Sequence, residues 1–179
     1  MIDFTKSKQY TLSIRLSTDG FSFSIYNPIH DDSLSIIEKE IDTSLSLTAN
    51  LKAVFHESDF LNHPYKRVNI MMASKRFTIA PLDLFEEGQA ELLFYHNHQK
   101  RENETVLYNI LRKNNVAVIF GIDKSAQTFL NEQYPEARFY SQSTPFIDYF
   151  SVKSRLGNSK KMYASVRKDG IDIYCFERG

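Results

Sequence analysis

Residues 10–17, YTLSIRLS, alternate apolar Leu12, Ile14 and Leu16 with polar Ser13, Arg15 and Ser17. That is the period-2 pattern of a strand with one buried face. Thr18, Asp19 and Gly20 follow, and Asp-Gly favours a tight turn because glycine accepts positive φ freely. The alternation resumes over 21–27 with Phe21, Phe23 and Ile25, and a third strand is predicted at 34–41. The chain thus opens as a three-stranded antiparallel meander.

The period then changes. Leu47, Leu51, Val54 and Phe55 share one helical face within 44–58, behind Asp42, Thr43 and Ser44 as candidate caps. VNIMMA (68–73) is a nearly continuous apolar run, predicted as a strand buried on both faces. RFTIA (76–80) predicts another strand. Pro81 suits the first turn of a helix over 81–97, with Asp83, Glu86 and Glu87 near its N-terminus where the dipole favours acids. VLYNIL (106–111) and VAVIFGI (116–122) predict a hairpin around Lys113, Asn114 and Asn115. Helices are predicted at 123–134 and 144–156, with a strand at 137–141 between them. A meander feeding alternating strands and helices implies an α/β fold, a mixed sheet flanked by helices. The order fits a ribonuclease-H-like core, since a doubly wound parallel sheet would open β-α-β.

The two ends carry a near-repeat. SIRLSTDGFSFSIY (13–26) returns as ASVRKDGIDIYCF (164–176), with Asp19-Gly20 aligned on Asp169-Gly170 and one residue fewer before the second turn. Two unrelated Asp-Gly hairpins and a duplicated unit are both open readings. The phrases LSIRLSTDGFSFSIYNP, KRFTIAPLDLF, NNVAVIFGI and FLNEQYPEARFYSQSTP resemble, over essentially the whole chain, the domain-of-unknown-function family 3822 of Bacteroidetes bacteria. The resemblance implies an actin-like ATPase fold, two ribonuclease-H-like halves with a nucleotide-type cleft between them, and brings no established activity. It divides the chain into a first half, 1–158, and the first hairpin of a second, incomplete half, 159–179.

Composition narrows the classes. Twenty-two basic residues balance twenty-two acidic ones, which argues against nucleic acid or an anionic membrane as partner. The single cysteine, Cys175, excludes an intrachain disulfide and a multi-cysteine zinc site. No basic stretch followed by an apolar run opens the chain, and no apolar run approaches the ~20 residues of a membrane span. The cytoplasm is the expected compartment.

The resemblance makes Asp19, Gly20, Asp169 and Gly170 the candidate phosphate-cradling residues, because backbone N–H groups of such hairpins point at the anion in actin-like ATPases. Bulky Phe21 and Ile171 follow the glycines, however, and the chain's six glycines include no adjacent pair. The bland reading of both Asp-Gly pairs as turns therefore stands beside the phosphate reading. The first strand offers no acid at its polar positions, which argues against a two-metal nuclease. His96 and His98 stand at i, i+2 rather than the i, i+4 of a helical zinc pair. His30 lies in a polar loop beside two aspartates. Cys175 is expected as a packed strand residue, and the basic stretch 152–168 as a solvated link around Gly157. The expected function is a non-catalytic actin-like-fold module acting through protein–protein contacts, with no cofactor. A homodimer with 161–178 near its interface is the expected assembly. The alternative is a nucleotide-binding ATPase, with Mg-ATP as ligand and an incomplete site.

Overall fold

The computed structural model describes residues 2–29, 33–155, 161–167 and 170–176. The alternating segments become β1 (Thr11–Ser17) and β2 (Gly20–Asn27), antiparallel and joined through a loop of Thr18 and Asp19, with β3 (Ser33–Lys39) beside β2. The pairing Ser17 with Gly20 makes Gly20 the first strand residue rather than a loop residue. Its φ of +145° and the Lys39 carbonyl oxygen, 2.9 Å from where a Cβ would lie, both require glycine there.

Helix α1 (Leu47–Glu57) starts later than the pattern predicts, because Ser46 is the cap and its Oγ accepts from the Ala49 N–H at 3.1 Å. Asp42 instead accepts from both N–H and hydroxyl of Ser44. Buried Asn50 grips the Asp42 backbone on both sides, accepting from its N–H at 2.8 Å and donating to its carbonyl at 2.9 Å. A local side-chain turn has displaced the first helical turn.

The chain then crosses to β4 (Arg67–Ala73), parallel to β1. The apolar run here is not buried on both sides. Val68, Ile70 and Met72 face the core, while Asn69 and Met71 face outward and are half-buried. Strand β5 (Phe77–Pro81) follows, and Pro81 stays in the strand opposite Val116 instead of opening a helix. β5 is an edge strand, the position where a residue without an N–H is tolerated. Two 3-10 turns bring the chain to α2 (Ala90–Asn97), so Asp83, Glu86 and Glu87 precede the helix instead of forming its first turn.

The predicted hairpin is β6 (Glu104–Leu111) and β7 (Val116–Asp123), turned by Asn115 at φ 54°. With β5 it forms a separate three-stranded sheet, β5-β7-β6. Helix α3 (Lys124–Gln133), capped by Asp123 at 2.8 Å to the Ala126 N–H, returns the chain to β8 (Arg138–Ser141), parallel to β4. Helix α4 (Ser143–Arg155) and the hairpin β9 (Met162–Arg167) and β10 (Gly170–Cys175) complete the described chain.

The central sheet thus runs β3-β2-β1-β4-β8, three antiparallel strands continued by two parallel ones. One face packs Leu12, Ile14, Phe21, Phe23 and Ile70 against Leu51, Val54 and Phe55 of α1 and Ala126 and Leu130 of α3. Asn109 of β6 joins the two sheets like an extra length of backbone. Its amide donates to the Phe139 carbonyl at 2.9 Å, and its oxygen accepts from the Ser141 N–H at 3.0 Å and the Thr144 hydroxyl at 2.7 Å.

At the far end of the core, the hydroxyls of Tyr65 and Tyr134 donate to the carbonyls of Phe60 and Leu61 at 2.7 and 2.6 Å. Burial pushes the Tyr65 hydroxyl up to about 12 and raises Tyr134 as well. A raised value favours the protonated folded form, so this stabilisation is complete below the ordinary tyrosine value near 10 and is lost as pH climbs through about 12. Melts at about pH 9 and about pH 11.5 are expected to show a steep alkaline loss. That loss is smaller in a Tyr65→Phe, Tyr134→Phe variant; an equal loss in both proteins would remove the assignment.

Candidate functional site

Ligand clefts of open α/β sheets lie beyond the C-terminal ends of their parallel strands. Here the C-terminal ends of β1 and β4 open into a cleft of about 400 Å³ between the central sheet and the inserted sheet. Ser17, Thr18, Ser74, Arg76, Arg101 and Asp123 line its polar part.

Its strongest internal contact is the pair Arg76–Glu104. The guanidinium donates to both carboxylate oxygens, at 2.7 and 2.6 Å, and to the Gln99 carbonyl at 2.8 Å. The two side chains are only 16% and 5% exposed. The hydrogen bond to Glu104 raises the Arg76 guanidinium further above its already high value, so it stays charged. Gly121 on β7 leaves the space in which the Glu104 carboxylate sits, since a Cβ there would lie 2.4 Å from Oε1. Asp123 is likewise committed, accepting from Asn103 at 2.7 Å and Thr48 at 3.3 Å besides capping α3. The cleft therefore holds fixed charge balanced within the protein, together with exposed Arg101 and the hydroxyls of Ser17 and Ser74.

Of the four residues singled out in the sequence, Asp19 and Gly20 line a different recess, of about 370 Å³, with Arg15, Glu38 and Lys39. The Asp19 carboxylate is bonded by the Ser17 hydroxyl and lies 3.8 Å from Arg15 Nη1. Gly170 pairs with Arg167 in the second hairpin, while Asp169 lies outside the described residues. No strand pairing connects the two hairpins among the described residues. His30 and the Gly157-Asn158-Ser159 stretch also lie outside them. His98 caps the end of α2, with Nε2 3.1 Å from the Phe77 carbonyl oxygen. Among the described residues no three His, Cys, Asp or Glu side chains gather as a metal-holding group. No described helix is long and apolar enough to cross a membrane.

The sequence reading missed Arg76, Glu104 and Gly121. The only signal was a glycine inside an otherwise apolar strand, which marks a close approach by another group.

The second hairpin has two unlike faces. Tyr163 and Tyr174 pack on α4, where Phe150 stacks on Tyr163 at 4.4 Å between centroids and Phe146 meets Tyr174 edge-on at 5.7 Å. The other face pairs Val166 with Ile171, Ala164 with Ile173 and Met162 with Cys175, all exposed. Cys175 is therefore a surface thiol and not a packed residue.

Comparison with known proteins agrees with this architecture. The chain matches, over residues 1–179, the family described as Protein of unknown function (DUF3822). No curated protein matches it. Among solved structures it is similar to a Bacteroides thetaiotaomicron protein described as having an actin-like ATPase fold and unknown function. The TM-score is 0.94 and the identity 84%, covering 99% of this chain and 69% of that one. The central sheet and its helices are thus those of an actin-like ATPase fold, and the chain belongs to the DUF3822 family.

Proposed function

We propose that this protein is a non-catalytic actin-like-fold module that works through protein–protein contacts made by the outward face of β9–β10. The observation that carries this reading is the apolar character of that face. Met162, Val166, Ile171 and Ile173 are 69%, 75%, 62% and 61% exposed, side by side on one ribbon. A contiguous exposed apolar patch of this kind marks an interaction surface. For the chain alone the occupant is a second copy, apolar face to apolar face, because the ribbon's pairing partners are already used on one side and its bare face is self-complementary in chemistry. Light scattering is expected to give a dimer for the 179-residue chain and a monomer for the Ile171→Asp, Ile173→Lys variant, which loses the stabilisation that association gives the folded chain. A monomeric parent chain, or a variant that dimerises equally, overturns the reading.

A second reading, a nucleotide-binding site, is favoured by the position of the 400 Å³ cleft and its Ser17, Ser74 and Arg101 side chains. Mg-ATP at 100 times its dissociation constant would then stabilise the protein by about 2.7 kcal/mol. That corresponds to a rise of roughly 5–10 °C in a chain of this size. No rise removes this reading and leaves the first untouched.

A further inference from the structure

The cleft at the C-terminal ends of β1 and β4 has an apolar part and a polar part. Leu16 and Met72, inward-facing residues of the central sheet, belong to the apolar part. Ile41, Leu45 and Leu47, from the segment leading into α1, supply the rest, and Leu45 is 50% exposed. The cleft therefore lies on the helix-covered side of the sheet. A groove of about 580 Å³ railed by Leu34 and Met71, and the recess around Asp19 and Gly20, lie on the other side, where Arg15 and Ser22 point.

The apolar segment is held in one shape. Buried Asn50 accepts from the Asp42 N–H at 2.8 Å and donates to the carbonyls of Asp42, Leu45 and Ser46 at 2.9, 3.4 and 3.1 Å. A rim fixed in this way need not be ordered on binding, which favours affinity.

Four charged side chains line the polar part: Arg76, Glu104, Asp123 and Arg101. Three are compensated within the protein. Arg76 and Glu104 neutralise each other, and Asp123 caps α3 while accepting from Thr48 and Asn103. Arg101 is exposed, and no ion pair or hydrogen bond engages its guanidinium among the described residues. Its backbone is nonetheless placed. Arg76 holds the Gln99 carbonyl at 2.8 Å before it, and after it the Asn103 amide donates to Asp123 at 2.7 Å while the Asn103 carbonyl accepts from the Lys124 N–H at 3.1 Å. The buried charges are pegs for the 99–103 loop, and the loop brings Arg101 to the cleft.

We propose that this cleft binds a small organic monocarboxylate, its apolar body against Leu16, Leu45 and Met72 and its carboxylate on the Arg101 guanidinium. A planar guanidinium offers a carboxylate two parallel N–H donors. One uncompensated positive charge matches one negative charge. The volume of about 400 Å³ falls within the range of about 300–1,000 Å³ of small-ligand sites, whose linings are mostly apolar with a few fixed polar groups. The proposal uses other residues than the β9–β10 contact and does not need it; it takes the same cleft as the nucleotide reading for a different ligand.

Octanoate is the probe, titrated by calorimetry into the 179-residue chain. Its dissociation constant is expected below about 1 mM. Acetate, the head without the body, and 1-octanol, the body without the charge, are each expected to bind at least about tenfold more weakly. Arg101→Gln is expected to weaken octanoate at least about tenfold while moving the melting temperature by less than about 2 °C, since this side chain supports no contact of the fold. The Ile171→Asp, Ile173→Lys variant is expected to bind octanoate as the parent does, which separates the cleft from the apolar ribbon. No octanoate binding, equal binding by Arg101→Gln, or loss of binding in the ribbon variant overturns the proposal. Binding of Mg-ATP without octanoate overturns it in favour of the nucleotide reading. None of these outcomes alters what light scattering decides about the ribbon.

Discussion

Gly121→Ala is expected to destabilise the protein by about 3 kcal/mol, a fall of roughly 6–12 °C in melting temperature. The added methyl would sit 2.4 Å from Glu104 Oε1 and 3.0 Å from Phe94 Cζ. A free glutamate would swing aside at little cost. Glu104 is not free, because both its oxygens are held by Arg76 in a pair that is almost out of water. Moving the carboxylate leaves the guanidinium without its partner, and breaking a buried pair from one side costs about 3–5 kcal/mol. Comparing the triple variant Gly121→Ala, Glu104→Ala, Arg76→Leu with the double variant Glu104→Ala, Arg76→Leu separates the terms by thermal melts. With the pair gone, the same methyl is expected to add less than about 1 kcal/mol of further loss. If Gly121→Ala alone is neutral, the pair is not clamped as described.

Asn109→Ala is expected to cost about 2–4 kcal/mol, because it orphans the Phe139 carbonyl, the Ser141 N–H and the Thr144 hydroxyl together. These groups lie at the seam between the inserted sheet and β8. The loss is expected to be local first: amide exchange should quicken in β8 and the first turn of α4 before it does in β1 or β2. Uniform acceleration across the central sheet would show that Asn109 supports the whole fold rather than the seam. Asn109→Asp keeps the two accepted bonds but loses those donated to the Phe139 and Tyr108 carbonyls and turns a carboxylate oxygen toward them, so its melting temperature is expected well below the parent's.

The opening meander was legible because its information is local. Period-2 alternation in β1 and β2 and one Asp-Gly turn specify which face is buried and where the chain reverses. The β6–β7 hairpin was legible for the same reason. The helix over 81–97 was misread where local preference and tertiary pairing disagree. Pro81 suits a first helical turn, but its place opposite Val116 on an edge strand prevailed, and the Leu82 N–H is used by the Asn115 carbonyl at 2.9 Å. At 68–73 the apolar run gave no hint that Met71 faces a groove, because methionine serves a core and a rail equally well.

What the sequence determined by itself is the order of elements along the chain, an antiparallel meander feeding alternating helices and strands, since it rests on patterns read within a dozen residues. Only the tertiary structure decided the site. Arg76 meets Glu104 across 28 positions, Arg15 donates to Gln142 across 127 at 3.1 Å, and the Asp19 carboxylate is taken up within its own hairpin. Such contacts depend on which sheet edge each strand reaches, and no local period encodes that. The same holds for Tyr163 and Tyr174 against Ile171 and Ile173. Alternation assigns them to opposite faces, but the placement of α4 alone made one face core and the other surface.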